Sequence, residues 1–87
     1  MQEAYAMAQK ALAELKTAVY ITLKSGPPEG LRNADVGRML GIYAGHVGHE
    51  GHIPRTLLAL MENEGVVQQD VEKRWLLRRH PEEGENE

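Results

Sequence analysis

Cysteine is absent from this 87-residue chain. That excludes a disulfide framework, thiol catalysis and any zinc site that uses cysteine. Long hydrophobic runs are missing too: no stretch approaches the roughly 18 uninterrupted apolar residues of a membrane span. The N-terminus has no basic segment leading into an apolar run, so it does not read as a secretory signal. There is also no phosphate-binding loop, no nucleophile elbow and no spaced zinc-protease motif. Neither catalysis nor a cofactor is expected, and what remains is a small cytoplasmic domain with no membrane partner.

At 9.7 kDa the chain has room for one core. Its apolar fraction is 41%, and nine of those residues are Ala. A chain of this size buries only about 60% of the surface its unfolded form exposes. A large cavity of its own is not expected.

The net charge of −3 is unevenly spread. Residues 81–87, from Pro81 to Glu87, hold four acids and no base, and read as a disordered acidic tail. Residues 1–80, read as a single domain, hold ten Lys/Arg against nine Asp/Glu. The body is therefore neutral, and charge alone neither supports nor forbids nucleic acid.

From Glu3 to Lys24 the apolar residues Tyr5, Ala8, Leu12, Leu15, Val19 and Leu23 recur at three- and four-residue steps, a helical stripe. Ser25-Gly26-Pro27-Pro28 ends it. The 22 residues would span about 33 Å, more than a small core needs. Their N-terminal half, with Tyr5, Met7 and Ala8, therefore lies beyond the core, and a homodimer through this helix is expected. Asn33 reads as the N-cap of a shorter helix burying Val36, Met39 and Leu40, stopped by Gly41. Leu31 is placed to pair briefly in a small sheet. A third helix spans His52 to Glu64, with Pro54 in its first turn and Gly65 at its end. At 100° per residue Ile53, Leu57, Leu60 and Met61 share one side, while His52, Arg55, Thr56, Ala59 and Asn63 share the other. Val66–Gln69 and Arg74–Leu77 then read as a hairpin around Asp70-Val71-Glu72-Lys73. The expected class is mainly α with a small β-hairpin.

Two stretches, Leu31-Arg32-Asn33-Ala34-Asp35-Val36-Gly37-Arg38-Met39-Leu40-Gly41-Ile42 and Ile53 through Val67, resemble the second and third helices of the winged helix-turn-helix domain. The likeness covers about Leu12 to Arg78. It implies three helices plus a wing, here with an extended first helix, and a DNA-binding protein that regulates transcription. The third helix would lie in the major groove of double-stranded DNA. By that resemblance His52, Arg55 and Thr56 occupy the reading face. Lys73 and Arg74 on the wing, with Arg32 and Arg38 beside the second helix, would meet phosphate. The family's turn between second and third helices is three or four residues. Here about ten separate Leu40 from His52: either the third helix starts earlier or the turn is enlarged. A winged-helix module that binds protein and not DNA is the alternative function.

That intervening stretch holds three Gly-His pairs, Gly45-His46, Gly48-His49 and Gly51-His52. Three imidazoles in seven residues are a weak candidate for a metal site at His46, His49 and His52, and a solvated loop is the simpler reading.

Overall fold

The uninterrupted run of helix formers at the start of the chain becomes α1, Gln2–Ser25. In this computed structural model, which describes residues 2–45 and 48–78, it is followed by α2 (Asn33–Leu40) and α3 (His52–Asn63). The strands β1 (Val67–Gln69) and β2 (Trp75–Leu77) complete the order. The described residues thus form a mainly helical fold with a two-stranded antiparallel hairpin, as the sequence pattern implies. The acidic tail, residues 81–87, lies outside them.

One face of α1's C-terminal half supplies the floor of the core. Val19 is fully enclosed, Leu23 nearly so, and Leu12 and Leu15 pack partly against them. Thr22 is buried as well, its hydroxyl donating to the Ala18 carbonyl at 2.9 Å, so the polar group is not stranded. α1 touches α2, α3 and β2, so Val36, Leu57, Leu58, Met61, Val67 and Trp75 close over it as one cluster. Residues 2–11 are all exposed, which matches the extension beyond the core.

α2 is capped differently from expectation. Its N-cap is Arg32, not Asn33. The carboxylate that satisfies the helix start is Asp35, whose Oδ2 accepts from the Arg32 N–H at 3.1 Å. Met39, expected inside, is 61% exposed. Val36 and Gly37 are the residues α2 buries. An eight-residue helix turned toward both α1 and α3 has only a narrow inward arc, and Met39 falls outside it.

α3 begins at His52, so the connection from α2 is an enlarged turn and not an early helix. Its buried set is Pro54, Leu57, Leu58 and Met61. Leu58 is completely enclosed, whereas Ile53, placed inside by periodicity, is 43% exposed and Leu60 half-buried. The inward arc is rotated by about 65°, under a fifth of a turn, from the one expected. Gly65, left-handed at φ 80°, ends the helix: its N–H reaches the Glu62 carbonyl at 3.0 Å and the Val66 N–H reaches Met61 at 2.9 Å.

The hairpin pairs Val67 with Leu77, Gln68 with Leu76 and Gln69 with Trp75. Leu31 adds a third rung through an antiparallel bridge to Trp75, with Leu31 N–H to Trp75 O at 3.1 Å and Trp75 N–H to Leu31 O at 2.6 Å. This staples the start of α2 to the hairpin. Replacing Leu58 by Ala should lower stability by about 2–5 kcal/mol. Met39→Ala should stay within about 0.5 kcal/mol. Urea unfolding of the two variants checks this, and equal losses would contradict the burial described.

Candidate functional site

Arg32, Arg55 and Lys73 are separated by 23 and 18 residues in sequence and come from three different segments. The fold brings them to one open groove of about 500 Å3 between the N-terminus of α2, the first turn of α3 and the hairpin turn. Asn33, Tyr43, Gln69 and Trp75 share its wall. Among the described residues no carboxylate lines it. The first turn of α2 opens onto it through Asn33 and Ala34, so the positive end of that helix adds to the field.

In the hairpin turn the acids beside Lys73 make their contacts within the turn and do not line the groove. Asp70 Oδ1 accepts from the backbone N–H groups of Glu72 and Arg74, both at 2.9 Å, so this carboxylate is committed inside the turn. Glu72 pairs with Arg74 at 2.8 Å. Arg74 is thus neutralised by a neighbour, and Lys73 is left facing the groove. Lys73 also holds a left-handed backbone at φ 67°, the position that a three-residue hairpin loop normally fills with Gly. A side chain there costs about 1–2 kcal/mol.

The long turn is what aligns the two helix starts. Asn33 Nδ2 donates to the Gly51 carbonyl at 3.2 Å, joining the first residue of α2 to the residue before α3. The Gly51 N–H in turn reaches the Ala44 carbonyl at 3.0 Å. Tyr43 lies in a slot between two glycines. A Cβ on Gly37 would stand 2.9 Å from its Cβ and Cδ1, and one on Gly51 would stand 2.8 Å from its Cε1. The Arg38 guanidinium covers the Tyr43 ring at 4.7 Å from the centroid. Asn33, Ala34, Tyr43, Gln69 and Trp75 line this site without having been picked from the sequence. The one signal for Tyr43 is a large aromatic set in a glycine-rich turn.

The remaining expected residues are dispersed. Arg38 sits on Tyr43 and does not line the groove. His52 and Thr56 lie on the other flank of α3, where with Leu12, Leu15, Ile53 and Leu57 they line a separate groove of about 290 Å3 against α1. His49 and His52 are stacked, 6.4 Å between ring centroids and 10° between planes. His46 lies outside the described residues. Among the described residues no group of three or more His, Cys, Asp or Glu side chains is placed to hold a metal ion, and no helix is long and apolar enough to cross a membrane.

No family model matches the chain, and no curated protein or solved structure is significantly similar to it.

Gly51→Ala should destabilise by about 2–4 kcal/mol, because a Cβ there meets Asn33 and Tyr43 at a φ of 87°. Lys73→Gly should instead stabilise by about 1 kcal/mol by relieving the left-handed residue. Chemical unfolding measures both, and a destabilised Lys73→Gly would contradict the turn geometry.

Proposed function

We propose that this protein is a winged-helix DNA-binding protein, a transcriptional regulator whose groove between α2, α3 and the hairpin receives one strand of duplex DNA. The observation that carries this is the convergence of Arg32, Arg55 and Lys73 on a groove that, among the described residues, no carboxylate lines. A neutral body has enough charge for such a role when its cations are gathered and its acids are turned elsewhere. Glu64, at the far end of α3, is engaged by Lys16 at 2.7 Å, and Asp70 and Glu72 are engaged within their own turn.

Roles follow from position. Arg32 at the α2 cap and Lys73 on the wing are suited to phosphate, which orients the protein without reading sequence. Arg55, in the first turn of α3, is suited to a bidentate bond with the O6/N7 edge of guanine in the major groove. Tyr43 presents a phenol at the same wall and can donate to a phosphate oxygen. Arg38 and Arg74 are secondary, one held on Tyr43 and the other paired with Glu72. His52 and Thr56 flank the reading position from the α1 side of α3. A winged-helix module that binds only protein is the competing function, favoured by the exposed Tyr5 and Met7 on α1.

Titration of a random-sequence duplex over a range of salt separates the two. With about two phosphates neutralised, by Arg32 and Lys73, log affinity should fall against log salt with a slope near −2. Arg32→Ala and Lys73→Ala should each reduce the slope by about 1, and Arg74→Ala should change it less. On a duplex selected for tight binding, Arg55→Ala should weaken affinity by about 1–3 kcal/mol. A salt-independent affinity, or no binding at about 50 mM salt, would falsify the DNA-binding function and leave the protein-binding one.

A further inference from the structure

The cations of this chain are unequally matched. Lys16 is bonded to Glu64 and Arg74 to Glu72. Lys24 and Arg38 stand over the rings of Tyr20 and Tyr43. Arg32, Arg55 and Lys73 are different: all three are exposed, and among the described residues none is in an ion pair. They share one groove of about 500 Å3. Three like charges confined to one concave wall raise the local potential and concentrate anions there.

The chain carries its own anion. Residues 82–87 include Glu82, Glu83, Glu85 and Glu87 and no base. The acids nearest the groove are engaged where they stand, Asp35 at the cap of α2 and Asp70 and Glu72 in the hairpin turn. The acidic segment follows directly on β2, the strand that also borders the groove. Trp75, on the groove wall, is three residues before Arg78, the last described residue, which is about 10 Å along the strand. Lys73 is five residues before Arg78, a span of at most about 17 Å. Glu83 is five residues after Arg78 and Glu87 nine, spans of up to about 17 and 30 Å. A chain that doubles back along β2 has length enough to bring these carboxylates to the groove.

We propose that the acidic segment 82–87 occupies the basic groove of its own chain and competes with nucleic acid for it. This rests on the groove being the DNA site and adds the regulation of that site. A carboxylate stands where a phosphate oxygen would: the Arg forks can hold either in bidentate fashion, and Lys73 meets either as a point charge. Each such exposed pair is weak and screened by salt. The tether offsets this weakness, because it holds the segment near the groove at an effective concentration on the order of mM however dilute the protein. A duplex that meets only the phosphate contacts is then held off, and one that also satisfies Arg55 on a base edge displaces the segment.

The test compares the full chain with the same chain carrying Glu82→Gln, Glu83→Gln, Glu85→Gln and Glu87→Gln together. Without nucleic acid, at about 50 mM salt, their amide NMR spectra should differ at Asn33, Ala34, Arg55, Gln69 and Lys73 and at the Trp75 indole N–H. Lys10 and Lys16 on α1 should not move. The differences should vanish near 1 M salt, where the screening length is about 3 Å. Differences confined to residues beside the substitutions overturn the proposal. So do differences that grow with protein concentration, which would come from another copy's segment. The four-Gln chain should bind random-sequence duplex about 3–10-fold more tightly at about 50 mM salt, the ratio falling toward one as salt rises. Equal affinities for a duplex that both chains bind overturn the competition. If neither chain binds duplex, the function proposed above has failed, and the amide comparison still decides whether the segment occupies the groove.

Discussion

The bond from Asn33 to the Gly51 carbonyl, with Tyr43 wedged beside it, is the constraint on which the site depends. An eleven-residue connection between two helices has many ways to run, and a loop rich in glycine loses more entropy than most when it is fixed. Here the ends are tied directly, start of α2 to start of α3, and the slack is taken up behind an aromatic plug. Gly37 and Gly51 leave just enough room for the ring, and Arg38 covers it. Leu31 then ties the same corner to the hairpin through Trp75. Arg32, one residue along from Leu31 and one before Asn33, is held by both ties at once. Arg55 is held through Gly51, whose carbonyl accepts the Arg55 N–H at 3.2 Å as well as the Asn33 amide. The geometry of the basic groove therefore rests on one corner of the fold.

Much of the architecture was legible because it follows from local chemistry. The periodicity of α1, the glycines that end α2 and α3, and the β-prone runs flanking Asp70–Lys73 each specify their element within a residue or two. What failed was the choice among apolar residues already known to be helical. α3 carries Ile53, Leu57, Leu58, Leu60 and Met61 over an arc of about 160°, wider than the face it buries. Nothing local says whether the core lies on the Ile53 or the Leu58 side. The hairpin and α1 decide it by where they pack, and Leu58 goes in. Met39 lost to Gly37 for the same reason, while Val36 is buried as expected. The cap of α2 was misplaced because Asn33 is a good capping residue with a stronger competing use: its amide joins two helices, and Asp35 serves the helix start instead.

The site was legible residue by residue but not as a set. Arg32, Arg55 and Lys73 could each be picked from the sequence by resemblance, together with Arg38, Arg74, His52 and Thr56, which the fold sends elsewhere. Neighbourhood in sequence is a poor guide to electrostatic neighbourhood. Lys73 stands between Glu72 and Arg74 and three residues from Asp70, so along the chain the charges of this turn sum to zero. In the folded turn the Asp70 carboxylate faces backbone N–H groups and Glu72 faces Arg74, and neither lines the groove with Lys73. Only backbone geometry distinguishes the two cases, and it includes a left-handed lysine that no composition reveals.

α3 is flanked by two grooves of opposite character, and its residues divide between them unequally. Among the described residues Arg55 is the one member of α3 that lines the basic groove, while Ile53, two positions before it, and Thr56, one after, line the apolar one against α1. Successive residues on a helix are 100° apart, so a single turn can serve two surfaces without sharing a side chain. The basic groove therefore takes its other cations from the start of α2 and from the hairpin turn, and its shape rests on the two ties that join those segments, Asn33 to Gly51 and Leu31 to Trp75.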